Sequence, residues 1–452
     1  MKISLTLFVA VCGVSCVSAV TREECKADYL PATLSCIDSF AGQGSPDCDL
    51  LPIPDHSMPQ NQVNDRGYWI QELRNTPTSH VFAVSQNTYN SLIIVDVPPG
   101  EDVNKRNLKA SKGNLKGAIP RKLQDSSDEI GLMMEGPAET SEDGASGRVL
   151  PNDITVAFVD FPPAFETAGG NHLLSALDDI LDMIGATMND VAQVEMLYSH
   201  GHTDHIGLAN ATFVALTETL GFDPESIPII APEGVLEHFD HAIETGFFTN
   251  RAPLPTVTFT DYKEHTVGRS TTLNLTTFDG HEYGDKNVIV FMEAEGPEQP
   301  AIMMVVDIVF PKWAPFFSFA LSTNLLKYIS AHDTFLEFPL GEDGFLVCGH
   351  LNQVGDRNDI LLNKELTLAI VNAAGLALKT VNPGPVMANS GFATPGHRNF
   401  GNSWARIDTY FAEIERVCAR AVMEEYGCDF GGLDVTLYSA CRAAQSFLRI
   451  EI

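Results

Sequence analysis

Ser199-His200-Gly201-His202-Thr203-Asp204-His205 puts three histidines and an aspartate in one short run. Further along, His281 follows Asp279-Gly280, Asp307 closes an apolar stretch, and His350 follows Cys348-Gly349. Neutral imidazole nitrogens and carboxylate oxygens are the donors that a borderline-soft divalent cation such as Zn²⁺ takes; Fe or Mn fit the same set. There are enough ligands for two cations. Paired cations lower the pKa of a shared water from near 16 toward roughly 7, which makes hydrolysis the chemistry to expect. A lone His-x-His carries little information. The same pair extended to Asp204 and His205, with a later His, Asp and His each at a strand end, needs many coincidences if all are ordinary core or surface side chains.

These residues need strands that end near one another. Val81 to Val84, Leu92 to Val97, Ile154 to Phe161 and Val194 to Tyr198 read as strands. Further strands are expected at about 271–278, 287–293, 301–306 and 344–348, with a short edge strand at Ile227 to Ile230, where Pro228 limits pairing. Apolar residues at helical spacing predict helices at about 170–187, 233–245, 364–379 and 403–425. Met303 to Leu326 is apolar, yet Asp307, Pro311, Lys312 and Pro315 argue against a membrane span. A loop or cleft wall carrying Trp313, Phe316, Phe317 and Phe319 is expected there instead.

Val159-Asp160, Ser199 to His205, Gly280-His281, Val306-Asp307 and Gly349-His350 together resemble the five ordered motifs of the metallo-β-lactamase superfamily, over about residues 75–365. The resemblance implies an α+β fold, an αββα sandwich of two mixed sheets flanked by helices. It implies that His200, His202 and His281 hold one metal, and that Asp204, His205 and His350 hold the other. Asp307 would bridge them, and Asp160 would orient the ligand loop from behind. Gly207-Leu208, Val306-Asp307 and Asp279-Gly280-His281 depart from the usual residues of their motifs without removing a ligand. They weaken assignment to lactamases or glyoxalase II-type thioesterases. Asp204 is placed to orient the nucleophile as well as to bind metal. Tyr283, two residues after His281, could hydrogen-bond an oxyanion; a packed loop aromatic is the alternative.

The chain has 452 residues, 59 acidic and 28 basic side chains, and a formal net charge of -31. Such a field repels polyanions and excludes nucleic acid as a partner. Lys2, the apolar Leu5 to Val17 and Val17-Ser18-Ala19 read as a signal peptide over 1–19, hence a secreted or secretory-lumen protein. A cysteine-containing extension (20–70), the hydrolase-like domain (75–380, with a disordered insertion at about 99–150) and a helical extension (381–452) complete the expected organisation. Cys25, Cys36 and Cys48 cluster near the start, and Cys418, Cys428 and Cys441 near the end. They can form three disulfides of undetermined pairing, leaving Cys348 as a buried thiol. Asn210 and Asn274 begin glycosylation sequons.

His238 and His241 fit a solvated helix face, and His332-Asp333 an ordinary loop or helix cap. His397 lies in a Gly/Pro-rich loop. The expectation is a secreted dinuclear metal hydrolase acting on a small-molecule ester, lactone or amide. A non-catalytic metal-dependent binding protein and a sulfate- or phosphate-ester hydrolase are the alternatives. The sequence leaves the oligomeric state open.

Overall fold

The computed structural model describes residues 21–39, 67–98, 153–167, 170–237, 239, 252–281, 287–296, 299–351 and 353–451. The expected signal peptide, the 99–150 insertion, Cys48, Tyr283, His238 and His241 lie outside them.

The described strands form two large sheets in which spatial order follows chain order. Sheet one contains β1 (Trp69–Asn75), β2 (Ser79–Gln86), β3 (Tyr89–Asp96), β4 (Ile154–Val159), β5 (Val191–Leu197), β6 (Ile229–Pro232) and β7 (Val257–Phe259). Its first three pairings are antiparallel and its last three parallel. Sheet two contains β8 (Tyr262–Val267), β9 (Thr271–Phe278), β10 (Asn287–Met292), β11 (Ile302–Val305), β12 (Phe345–Cys348) and β13 (Val354–Gly355). Only β11 and β12 pair in parallel. Both sheets are mixed, as expected.

Side-chain alternation makes this a four-layer molecule. Successive residues of a strand point to opposite faces. Leu92 and Ile94 of β3 meet Val288, Val290, Ile302 and Met304 of sheet two in a core between the sheets. Ile93 and Val95 point the other way, into a core closed by α1 (His172–Met183) through Leu173, Leu177 and Ile180. Ile289, Phe291, Met303 and Val305 face the opposite outer layer. That layer consists of α2 (Leu325–Glu337), α3 (Arg357–Thr380), α4 (Ser403–Tyr426) and α5 (Leu433–Glu451). Strands buried on both faces read as continuous apolar runs, which is why β3, β4 and β10 are visible in the sequence. The result is the αββα sandwich.

Local chemistry sets the ends of these elements. Asn87 (φ 47°) and Thr88 (φ 72°) are both left-handed, so β2 and β3 close through a two-residue turn. Asn171 caps α1 by accepting the N–H bonds of Leu173 and Leu174, and Asp356 with Asp359 forms a capping box on α3. Among the described residues α3 is long and apolar enough to cross a membrane, but it packs into the outer helical core beside α4 and α5.

Cys25–Cys428 ties the first described residues to the C-terminal region, and Cys418–Cys441 joins α4 to α5. Cys36 is also disulfide-bonded, and Cys348 is a buried free thiol. The cysteine-containing N-terminal segment is helical from Arg22 to Ser39.

His332 lies on α2, fully buried, its Nδ1 3.0 Å from the Tyr328 carbonyl and its Nε2 without a partner. Burial pushes its pKa down to about 4. A base with a depressed folded pKa stabilises the fold above its unfolded value, about 6.5, and that contribution is lost as pH falls toward 4. The full window is worth at most about 3 kcal/mol. His332→Leu should therefore lose less stability than the parent between pH 6.5 and pH 4 in urea titrations. Parallel acid profiles would refute the assignment.

Candidate metal centre

Every expected ligand, and Asp160 behind them, follows the C-terminal end of a strand. Asp160 follows β4, the Ser199–His205 loop follows β5, His281 follows β9, Asp307 follows β11 and His350 follows β12. These ends come from both sheets, so the ligands converge along one edge of the sandwich. The C-terminal edge of parallel strands is where open α/β sheets generally place their ligands.

The loop after β5 is held by β4. Asp160 is buried in a left-handed conformation (φ 64°) that turns the chain out of the sheet. Its Oδ1 accepts the Ser199 N–H at 2.8 Å, and its Oδ2 accepts the Ser199 hydroxyl at 2.7 Å. Because Ser199 gives its one hydroxyl proton to Asp160, its oxygen is left to accept from His200 Nδ1, 3.0 Å away. That fixes His200 with Nδ1 protonated and the Nε2 lone pair free, the state a cation requires. After His202 the chain forms one helical turn, Thr203–Ile206, whose Leu208 N–H returns to the Phe161 carbonyl.

The hairpin β2–β3 clamps the last motif. Asn90 donates to the carbonyls of Cys348 and His350, and the Leu351 N–H reaches the Thr88 carbonyl. Gly349 is required by space: a Cβ there would sit 2.6 Å from the His205 ring and 2.4 Å from Val306.

Asp307 lies at the centre, 3% exposed and left-handed at φ 65°. Its Oδ2 is 3.3 Å from His200 Nε2, 3.8 Å from His202 Nδ1 and 3.9 Å from His281 Nε2. Its Oδ1 is 2.8 Å from His350 Nε2 and 3.2 Å from His205 Nε2. Asp204 Oδ2 completes the second set, 3.6 Å from His205 Nε2 and 3.7 Å from His350 Nε2. Two groups, each with donor atoms within 4.8 Å of one another, could hold a metal ion: His200, His202, His281 and Asp307, and Asp204, His205 and His350. The Asp204 side chain is 40% exposed, and the site opens there.

The electrostatics suit a cation. Burial alone would raise the Asp307 pKa, but His205 and His350, then His200 and His202, hold it well below the ordinary carboxylate value. Burial drives His200 well below the imidazole value. Burial also acts to lower His205, but Asp307, Asp160 and Asp204 outweigh it and hold the ring well above that value. Buried His200 Nε2, His205 Nε2 and Asp307 Oδ1 have no hydrogen-bond partner among the described residues. Buried polar atoms left like this are costly unless something binds them, and this N/O donor set fits a borderline divalent cation.

Several features of the site are not visible in the motifs. Tyr89, brought in by the hairpin turn, has its ring 4.7 Å from that of His350 and 6.1 Å from that of His205. Burial and the nearby Asp204 and Asp307 raise its pKa, so its phenol stays protonated. Phe316 stacks on His350, centroids 5.6 Å apart and planes within 5°. His281 Nε2 lies against the Ala320 carbonyl. Ser318, Phe319, Ala320 and Leu321 are consecutive left-handed residues, each costing about 1 kcal/mol or more. They are held by Ser439 of α5, whose Oγ accepts the Ser318 N–H at 2.9 Å, and by the Ser322 hydroxyl on the Gly280 carbonyl. The expected aromatic wall loses Phe319. Phe316 and Phe317 are exposed, Phe319 is buried beside Tyr328, and half-buried Trp313 packs on Gly431, Gly432 and the cluster of Phe310, Ala320 and Leu351. The Cys348 thiol is pushed up by burial and belongs to the core.

The layered sandwich, with this order of candidate ligands at its strand ends, is the metallo-β-lactamase fold. Solved structures with a likeness to it are distant. The stereoselective inverting sec-alkylsulfatase Pisa1 from Pseudomonas sp. is 13% identical, with 84% of this chain and 50% of that one covered and a TM-score of 0.43. A β-lactamase domain protein from Burkholderia ambifaria is 13% identical over 77% and 87%, TM-score 0.38. The metallo-β-lactamase MIM-1 from Novosphingobium pentaromativorans is 14% identical over 60% and 73%, TM-score 0.32. The chain spans about half the length of the alkylsulfatase it matches. No protein-family model matches the chain, and neither does any curated protein. The fold assignment therefore rests on the chain's own sheet order and ligand positions.

Removing the support of Ser199 should weaken the centre without touching a ligand. Asp160→Asn keeps an acceptor for the Ser199 N–H but cannot accept its hydroxyl. Metal affinity should fall about tenfold, and up to about a hundredfold in Asp160→Ala. Competition titration against a chromophoric chelator measures this, and wild-type affinity in both variants would sink the relay.

Proposed function

We propose that the protein is a metal-dependent hydrolase of the metallo-β-lactamase superfamily, with two divalent cations, Zn²⁺ in the first instance, at this centre. The observation that carries the reading is the division of Asp307: one carboxylate oxygen faces His200, His202 and His281, and the other faces His205 and His350. A structural site would be closed, whereas this one is open at half-exposed Asp204.

Cations bound here would supply Lewis acidity and an activated water at neutral pH. His200, His202 and His281 would hold one, Asp204, His205 and His350 the other, and Asp307 would span both. Asp160 and Ser199 fix the His200 tautomer. Asp204, at the open side, is placed to orient the attacking water. Tyr283 is proposed as an oxyanion donor on its sequence position alone. The substrate is a small ester, lactone or amide. Disulfides Cys25–Cys428 and Cys418–Cys441 support an oxidising, secretory compartment, in which Asn210 and Asn274 would carry glycans.

Purified protein should contain about two metal ions per chain by elemental analysis and hydrolyse members of a panel of esters, lactones, amides, thioesters and sulfate esters. Chelation should abolish turnover, and His202→Ala should lower kcat/KM by about a hundredfold or more. Less than one metal per chain, with no turnover restored by Zn²⁺, Fe²⁺ or Mn²⁺, would refute the proposal.

A further inference from the structure

We infer that the substrate is an uncharged ester or lactone with an apolar chain, and that Phe316, Phe317 and Leu321 form the wall that receives it. The inference rests on the hydrolase reading and adds the substrate class.

The wall is continuous with the centre. Phe316 stacks on His350 of one candidate ligand group, and the Ala320 carbonyl lies against His281 of the other. A substrate bound at the metals is therefore a neighbour of this segment. Phe316, Phe317 and Leu321 are 44%, 42% and 59% exposed, and the two phenyl rings are 5.0 Å apart. Large apolar side chains grouped at the mouth of a polar site mark a binding surface.

Backbone strain points the same way. Four successive non-glycine residues, Ser318 to Leu321, are left-handed. Their positions are over-determined by Ser439, by Gly280 and by the Thr323 N–H on the His281 carbonyl. The turn buries Phe319 while leaving Phe316, Phe317 and Leu321 in solvent. Strain of this kind persists where it positions something for use.

Charge decides against an anionic group. Lys312 lies beside Asp359 and Lys327 is 2.8 Å from Asp279, so the cations flanking the segment already face carboxylates. Asp204 sits at the opening, and the chain as a whole carries -31. A sulfate or carboxylate on the distal end of the substrate would meet a negative field.

The test uses metal-loaded full-length protein and nitrophenyl acetate, butyrate and octanoate. Each methylene laid on the wall is worth up to about fourfold in kcat/KM. The parent should prefer octanoate. In Phe317→Ser/Leu321→Ser the octanoate-to-acetate ratio should drop at least tenfold, mostly through KM, with metal content and Tm as checks on folding. Leu326→Ser, an exposed apolar position on α2, should keep the parental ratio. A parent indifferent to chain length, a double variant with the parental ratio, or turnover of octyl sulfate in preference to octyl acetate would each overturn the inference. Failure to turn over any ester, acetate included, counts against the hydrolase reading instead. In that event calorimetric binding of uncharged methyl alkyl ketones decides the wall: affinity should rise with chain length in the parent and not in the double variant.

Discussion

A single buried carboxylate, that of Asp307, organises this molecule. Taken from water alone, its charge would be strongly disfavoured. Five histidines from three loops approach its two oxygens, and their approach requires two sheets whose strands end together. The core between the sheets, from Leu92 and Ile94 on one side to Ile302 and Met304 on the other, fixes how closely those ends sit. The outer helical layers protect the remaining faces. Asp307 thus links the apolar packing of the sandwich to its polar edge.

The chain reaches this edge through left-handed backbone. Asp160 and Asp307 both leave their strands at positive φ, a conformation that aspartate tolerates better than most residues. Each then directs a carboxylate back across the edge, one behind the ligand loop and one between the ligand groups. Ser318 to Leu321 repeats the left-handed backbone without a carboxylate. There α5 supplies the restraint through Ser439, and Cys418–Cys441 fastens α5 to α4. The C-terminal helices therefore act on the site although they provide none of its ligands.

The sequence was most legible where one local rule decides the outcome. Continuous apolar runs marked β3, β4 and β10 because both of their faces are buried. Polar, half-exposed β8, Tyr262–Val267, and amphipathic β1 carry no such signal, and neither was expected. Helix α2 was hidden by its position: the apolar stretch from Met303 runs through a strand end, the aromatic wall and into the helix. The same blending put Phe319 on the cleft wall, although packing takes it inside. Tyr89 could not be found beside His350 from sequence, since only the β2–β3 turn and its clamp on residues 348–351 bring them together.

By itself, the sequence determined the donor types of the candidate ligands, their order and the strands that precede them. Donor chemistry and hydrophobic periodicity are local properties of a chain. Tertiary structure alone decided which oxygen of Asp307 faces which histidines, that Ser199 relays Asp160 to His200, and that a strained turn held by α5 presents Phe316 and Phe317 at the mouth. Those outcomes depend on distances of a few ångströms between residues far apart in the chain, set by how two sheets and two helical layers pack.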